Sequence, residues 1–303
     1  MSIIAWLPIL YFILPFAKCD EALKMILVYG APGATTASHE FTGSWEQCMA
    51  YCYSHTDCVL AALSDDVCVT YQFGEVQSVT RLDGSAGKIV AFKRSISSAT
   101  CPVSTDPPLF GESPSISARV VGQTAYVSTI TETDDTWDLT YSITTCATDH
   151  TLFVRGSVAV CVGLRLFATD PYYGNLDAAS SLCSEPGGIS LTGPANSAEA
   201  AQIYAWTKAT FEPYTDLFNY FWIDGDSKYE AKVFIFEDST HDGTNAYPWA
   251  PENPDGGDPG YCLYLPWTGQ LLVDDTDCGS FGNNKAKWRG AVCRMEPASQ
   301  TSS

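Results

Sequence analysis

Between Glu212 and Cys278 the sequence places fourteen acidic residues against two cations, Lys228 and Lys232. Carboxylates at this density do one of two things: they solvate a face of the molecule, or some of them gather around a hard cation such as calcium, which prefers oxygen ligands. Other chemistries are poorly supplied. The four histidines, His39, His55, His150 and His241, stand far apart, and there is no Cys-x-x-Cys. A zinc site or a Cys/His catalytic pair is therefore unsupported. No Ser/His/Asp grouping, HExxH, phosphate loop or Gly-x-Ser-x-Gly is present. Acidic pairs are abundant enough to imitate a glycosidase, but abundance is not geometry, and an enzyme is not expected. The net charge of −19 argues against nucleic acid and anionic membrane surfaces as partners.

The chain reads as one bound for export. Ile3 to Phe16 is a nearly unbroken apolar run followed by Ala17, Lys18 and Cys19, which has the form of a secretory signal peptide, residues 1–19. Cutting after Cys19 or after Ala17 both remain open, the second being the poorer match because of Pro15. Twelve cysteines on such a chain argue for disulfides. If Cys19 is retained it can pair with Cys101; if it is removed, Cys101 is left over and can bridge two chains into a homodimer. No Asn-x-Ser/Thr sequon occurs.

The elements that must position these residues fall into two α+β units, both disulfide-stapled. In the first, Met25 to Tyr29 is strand-like, and Ser44-Trp45-Glu46-Gln47 has the form of a capping box that starts a helix running to about Tyr53. Cys48 and Cys52, four apart, share one face of that helix. Val59–Leu63, Val67–Phe73 and Lys88–Lys93 read as strands, the first two joined at Asp65-Asp66. This predicts a helix on a small sheet. The pairing Cys48–Cys68 with Cys52–Cys58 fits, although spacing alone leaves connectivity open. Residues 101–145 are rich in Ser, Thr, Pro and Asp and read as a linker with some strand content. Beyond Cys146, Val158–Phe167 is strand-like and Asn175–Cys183 has helical spacing. A second capping-box-like start at Asn196–Glu199 leads a helix towards Ala209. Strands are expected at Tyr220–Ile223, Val233–Phe236, Tyr261–Leu265, Gln270–Val273 and Ala291–Met295.

Met25 to Gly30, Trp45-Glu46-Gln47-Cys48, Cys52, Cys58, Cys68 and Val90-Ala91-Phe92-Lys93 together resemble the PAN-like (apple-related, CW) domain found ahead of lectin domains in nematode secreted proteins. That resemblance implies an interaction or spacer module over residues 20–100. From Cys146 to Glu296 the order of features resembles the C-type lectin domain. Phe221-Trp222-Ile223-Asp224-Gly225 looks like the family's Trp-Ile-Gly core strand with Asp224 inserted, and Trp288 to Cys293 looks like its last strand. The resemblance implies a lectin domain over residues 146–297, a tail at 298–303, and the pairs Cys183–Cys293, Cys262–Cys278 and Cys146–Cys161.

It also implies a ligand set. Asn253-Pro254-Asp255 stands where the family has Glu-Pro-Asn or Gln-Pro-Asp, a loop whose proline is often cis. Asp274-Asp275 falls at the Trp-Asn-Asp position, with Val273 in place of the Trp. The family's further acidic position is Gly260 here, and Asp258 reaches it only if the loop bends. The expected calcium set is thus Asn253, Asp255, Asp258, Asp274 and Asp275, with Asn253, Asp255, Asp274, Asp275 and Trp267 contacting a sugar. Of the aromatics around this loop, Trp249 and Tyr264 are expected to be buried. The function implied is calcium-dependent binding of microbial or host glycans and glycoproteins outside the cell, as in innate recognition. The alternative is a lectin-like protein-interaction module that needs no calcium.

Overall fold

A computed structural model describes residues 21–97, 114–167, 174–211, 218–241, 243–244, 247–266, 272–280 and 286–302. The signal-peptide run, Cys19, Cys101 and Trp267 lie outside these residues. Strand dominates, at 50% against 15% helix. The chain divides into two compact units, one of residues up to Ser115 together with Glu132–Trp137, the other of Ile116–Thr131 and Asp138 onward.

The first unit is built on a long strand, β1 (Glu21–Pro32), followed by β2 (His39–Phe41), α1 (Trp45–Ser54), β3 (Cys58–Ser64), β4 (Val67–Gln72), β5 (Ser78–Arg81) and β6 (Ile89–Ser97). The sheet order is β2-β4-β3-β6-β1-β5, with β1 antiparallel to both β6 and β5. The capping box at Ser44 forms: its hydroxyl accepts from the Gln47 amide and the Gln47 side chain accepts from the Ser44 amide. The β3–β4 hairpin turns at Asp65 and Asp66, both at positive φ (52° and 63°), which aspartate tolerates better than most residues. Cys48 joins Cys68 on β4 and Cys52 joins Cys58 on β3. All four are buried with Ala61 and Ala91 in one cluster.

The strand content expected within residues 101–145 is extensive over their described part. Residues 115–145 form an antiparallel meander of β7 (Ser115–Val121), β8 (Thr124–Glu132) and β9 (Thr136–Thr145), in the order β9-β8-β7. Threonine counts as polar in composition, but its branched Cβ suits a pleated strand. The expected tail is also structured, since β17 (Ser299–Ser302) pairs with β9.

The second unit continues with β10 (Thr151–Arg155), β11 (Val158–Leu166), α2 (Leu176–Cys183), β12 (Gly188–Leu191), α3 (Ser197–Phe211), β13 (Phe218–Asp226), β14 (Tyr261–Pro266), β15 (Asp274–Asp277) and β16 (Ala286–Met295). Its sheet runs β10-β11-β16-β13-β14-β15, with β12 also on β16 and with β13 and β16 parallel. Trp222 on β13 and Trp288 on β16 stack with centroids 3.9 Å apart, and the Trp222 indole donates to the Gly174 carbonyl at 2.8 Å. Disulfides join Cys146–Cys161, Cys183–Cys293 and Cys262–Cys278. One expected strand is absent as such, and of another, Gln270–Val273, only Leu272 and Val273 lie within the described residues. Val233–Phe236 makes only an isolated bridge from Ile235 to Asp226. Its entry at Lys232 takes a left-handed backbone (φ 65°), and Val233 and Ile235 stay exposed. Val273 makes a single bridge to Trp249, and the strand starts one residue later, at Asp274.

Candidate functional site

The long connection between β13 and β14 carries seven of the fourteen acidic residues between Glu212 and Cys278, and two clusters of side chains hold it. The first is at its root. Arg155, at the end of β10, donates to Glu199 (Nη2 to Oε2, 2.7 Å) and to Asp238 (Nη1 to Oδ2, 2.8 Å). It also reaches Thr192, Thr240 and the Gly193 carbonyl. All three charged side chains are almost completely buried. Burial works against ionisation of Asp238. Hydrogen bonds from Thr192 and Thr240 and the Arg155 charge outweigh it and hold the carboxyl below its usual range. Glu199 was read from sequence as a capping residue. Its carboxylate does accept from the Ala195 amide, but it also closes the Arg155 pair.

Asp224 completes this cluster. Its two oxygens accept from the Glu237 and Asp238 amides at 2.9 and 2.7 Å, so it clips the returning chain to β13. Burial pushes its pKa up to about 7, reinforced by the Glu237 and Asp238 charges and opposed by those two amide bonds. Neither Arg155 nor Asp224 was given a role from sequence. Asp224 carried the one available signal, as an acid inserted into an otherwise apolar core strand.

The second cluster is at the far part of the loop. The β14–β15 register sets Tyr264 opposite Asp274 and Leu263 opposite Asp275. Because side chains alternate across a strand, the two aspartates serve opposite faces. On one face the Tyr264 hydroxyl donates to Asp274 Oδ2 at 3.0 Å. On the other, Asp275 is 6% exposed and grips the loop, accepting from the Asp255 amide (Oδ1, 2.9 Å) and the Gly256 amide (Oδ2, 3.0 Å). Only glycine fits at 256, since a Cβ there would lie 2.6 Å from Asp275 Oδ2 and 2.5 Å from the Tyr261 ring. The Asn253–Pro254 peptide is cis. Val273 and residues 248–250 are laced together by two backbone bonds, Val273 to the Pro248 carbonyl and Ala250 to the Val273 carbonyl.

Within this frame Asn253 Oδ1 is buried and has no hydrogen-bond donor among the described residues. Burial raises the Asp274 pKa; the hydrogen bonds from Tyr264 and the Asp275 amide lower it, and the Asp275 and Asp255 charges raise it further. Burial, with Asp274 nearby, also raises the Tyr264 and Tyr220 hydroxyls. Of the expected set, Asn253, Asp255, Asp274 and Asp275 share this corner. Asp258 is exposed farther along the loop. Trp249 and Tyr264 pack, partly buried, against the core. Among the described residues, the one trio of acidic, thiol or imidazole groups whose ligand atoms converge within 4.8 Å is Asp226 with Cys262 and Cys278. Those sulfurs form a disulfide and are not thiolate ligands. The carboxylates of Asp255, Asp274 and Asp275 therefore do not form a closed three-acid cage.

Residues 25–94 match the family model described as the PAN-like domain. No curated protein matches the sequence. Among solved structures, human lithostathine is similar at 18% identity over 50% of this chain and 91% of its own, with a TM-score of 0.37. The C-type lectin CEL-I from Cucumaria echinata is similar at 18% identity over 50% of this chain and 96% of its own, also with a TM-score of 0.37. The chemistry of the site rests on its own residues.

Proposed function

We propose that the second unit binds carbohydrate outside the cell through a calcium ion held by Asn253, Asp255 and Asp274, and that the chain is a non-enzymatic binding protein. The observation that carries this reading is the buried Asn253 Oδ1 without a donor among the described residues, on the same turn as Asp255, whose charge acts on Asp274. Leaving such an oxygen unpaired costs about 1–3 kcal/mol, and a cation supplies the missing partner. Asp275, with both oxygens given to loop amides, positions the turn. When bound, calcium takes about six to eight oxygens, so three side chains leave places for water and for sugar hydroxyls. The five disulfides and the PAN-like unit support export. Among the described residues no helix is long and apolar enough to cross a membrane.

The test is calorimetric titration of the full chain with calcium, followed by a glycan screen with and without chelator. Asp274→Asn keeps the shape of the side chain and removes its charge. It should weaken calcium binding by at least about tenfold without changing the thermal melt. Because the Asp274 pKa is raised, protons compete with the ion, so wild-type affinity should fall as pH falls. That dependence should flatten in Asp274→Asn. No saturable binding up to millimolar calcium would sink the proposal. The second reading, an interaction module without calcium, would then stand, favoured by the occupied oxygens of Asp275 and the unconverged carboxylates.

A further inference from the structure

The first unit holds a cavity of about 340 Å³ lined by Leu27, Val28, Tyr29, Arg81, Leu82, Ile89 and Trp137. That volume is at the lower end of the range for small-molecule sites. Its walls are apolar apart from three groups: the Tyr29 hydroxyl, the Arg81 guanidinium and the Trp137 indole. Trp137 is 4% exposed, and its Nε1–H donates to no acceptor among the described residues. A buried indole N–H ordinarily finds a partner, and leaving it without one costs free energy.

Arg81 lies over the Trp137 ring at 5.1 Å. One of its terminal nitrogens, Nη1, is committed to Glu132 (3.1 Å) and to the Thr133 carbonyl (2.8 Å). Its Nε and Nη2 donate to no described residue. The lining residues therefore include one with a fork of charged donors and one with a neutral donor among aliphatic side chains, and no Asp or Glu is among them. A guanidinium fork matches a carboxylate in shape and charge. Gly30 leaves room for the Trp137 ring, since a Cβ there would come within 3.3 Å of Trp137 Cζ3 and 2.8 Å of the Thr80 carbonyl.

We propose that this cavity is a binding site for a small apolar carboxylate, its head on Arg81 and the Trp137 N–H and its body against Leu82, Val28 and Ile89. The site is independent of the calcium reading, which concerns the other unit.

The experiment is calorimetric titration of the full chain with octanoate and, separately, with octan-1-ol. Octanoate should bind saturably, and the alcohol should bind at least about tenfold more weakly, because it lacks the charge that Arg81 selects. Leu82→Trp, which fills the cavity, should abolish octanoate binding while the thermal melt holds. If Leu82→Trp does not fold, Trp137→Phe decides, since it keeps an aromatic ring and removes the N–H; the expected loss is about tenfold. The proposal is overturned by the absence of saturable octanoate binding up to about 5 mM. Equal binding of the alcohol, or unchanged binding in a folded variant, overturns it as well.

Discussion

The two acidic clusters of the long loop differ in how their charge is closed. At the root, Asp238 and Glu199 face Arg155, and the Asp238 and Asp224 oxygens are filled by hydroxyls and amides. At the far corner no basic side chain pairs with these groups among the described residues, where Asp274 has a tyrosine and an amide for partners and Asn253 Oδ1 has none. Both regions are acidic as sequence. A cluster whose charge and hydrogen bonds balance internally is scaffold, while one left short of positive charge and of one donor is where a ligand can add stability.

The sharpest way to break this comparison is to unbalance the root. Arg155→Met should destabilise the chain by about 3–5 kcal/mol, because it strands the buried Glu199 carboxylate and leaves Asp238 with Arg294 as its one cationic partner among the described residues. Chemical denaturation would measure it. Calcium binding should fall only through the loss of folded protein, so a direct effect on affinity in folded Arg155→Met would mean that the two clusters are one site.

A smaller effect separates them by pH. Asp224 titrates near 7 in the folded chain, against an ordinary value of 3.8. Between those values the folded state binds the extra proton. The stability Asp224 contributes is therefore complete below about pH 4 and lost as pH rises through about 7. Asp238, held below its usual range, acts in the opposite sense and only in strong acid. Melting temperature should thus fall between pH 5 and 8, by the equivalent of about one to a few kcal/mol. Asp224→Asn should remove that slope, at the cost of the one amide bond that its NH₂ group cannot accept. A slope that survives in the variant would assign the titration to another group.

How far this was legible in the sequence follows from the range of the interactions. The helix of the first unit was readable because Ser44 and Gln47 act three residues apart. The core strand was readable from Phe221-Trp222-Ile223, and the candidate calcium residues could be named because they lie on two short segments. Arg155 was not legible, since its partners Glu199 and Asp238 are 44 and 83 residues away. The strand misread at Val233–Phe236 has strand composition, but a strand needs a neighbour, which no local pattern supplies. The different tasks of Asp274 and Asp275 were hidden for the same reason, since only the register with β14 tells which face each one serves.

The smallest expected effect is at Asp258, which sequence placed with the calcium set and the structure leaves exposed. No bond from its side chain to the rest of the loop is present among the described residues, and an exposed carboxylate gives little to an ion it does not touch, because water and salt screen it. Asp258→Asn should leave stability within about 0.5 kcal/mol of the parent. It should also change calcium affinity far less than Asp274→Asn does. Calorimetry on the two variants side by side makes the comparison. Should Asp258→Asn weaken binding as strongly, the loop must fold over on binding calcium, and the corner described here would be its open form.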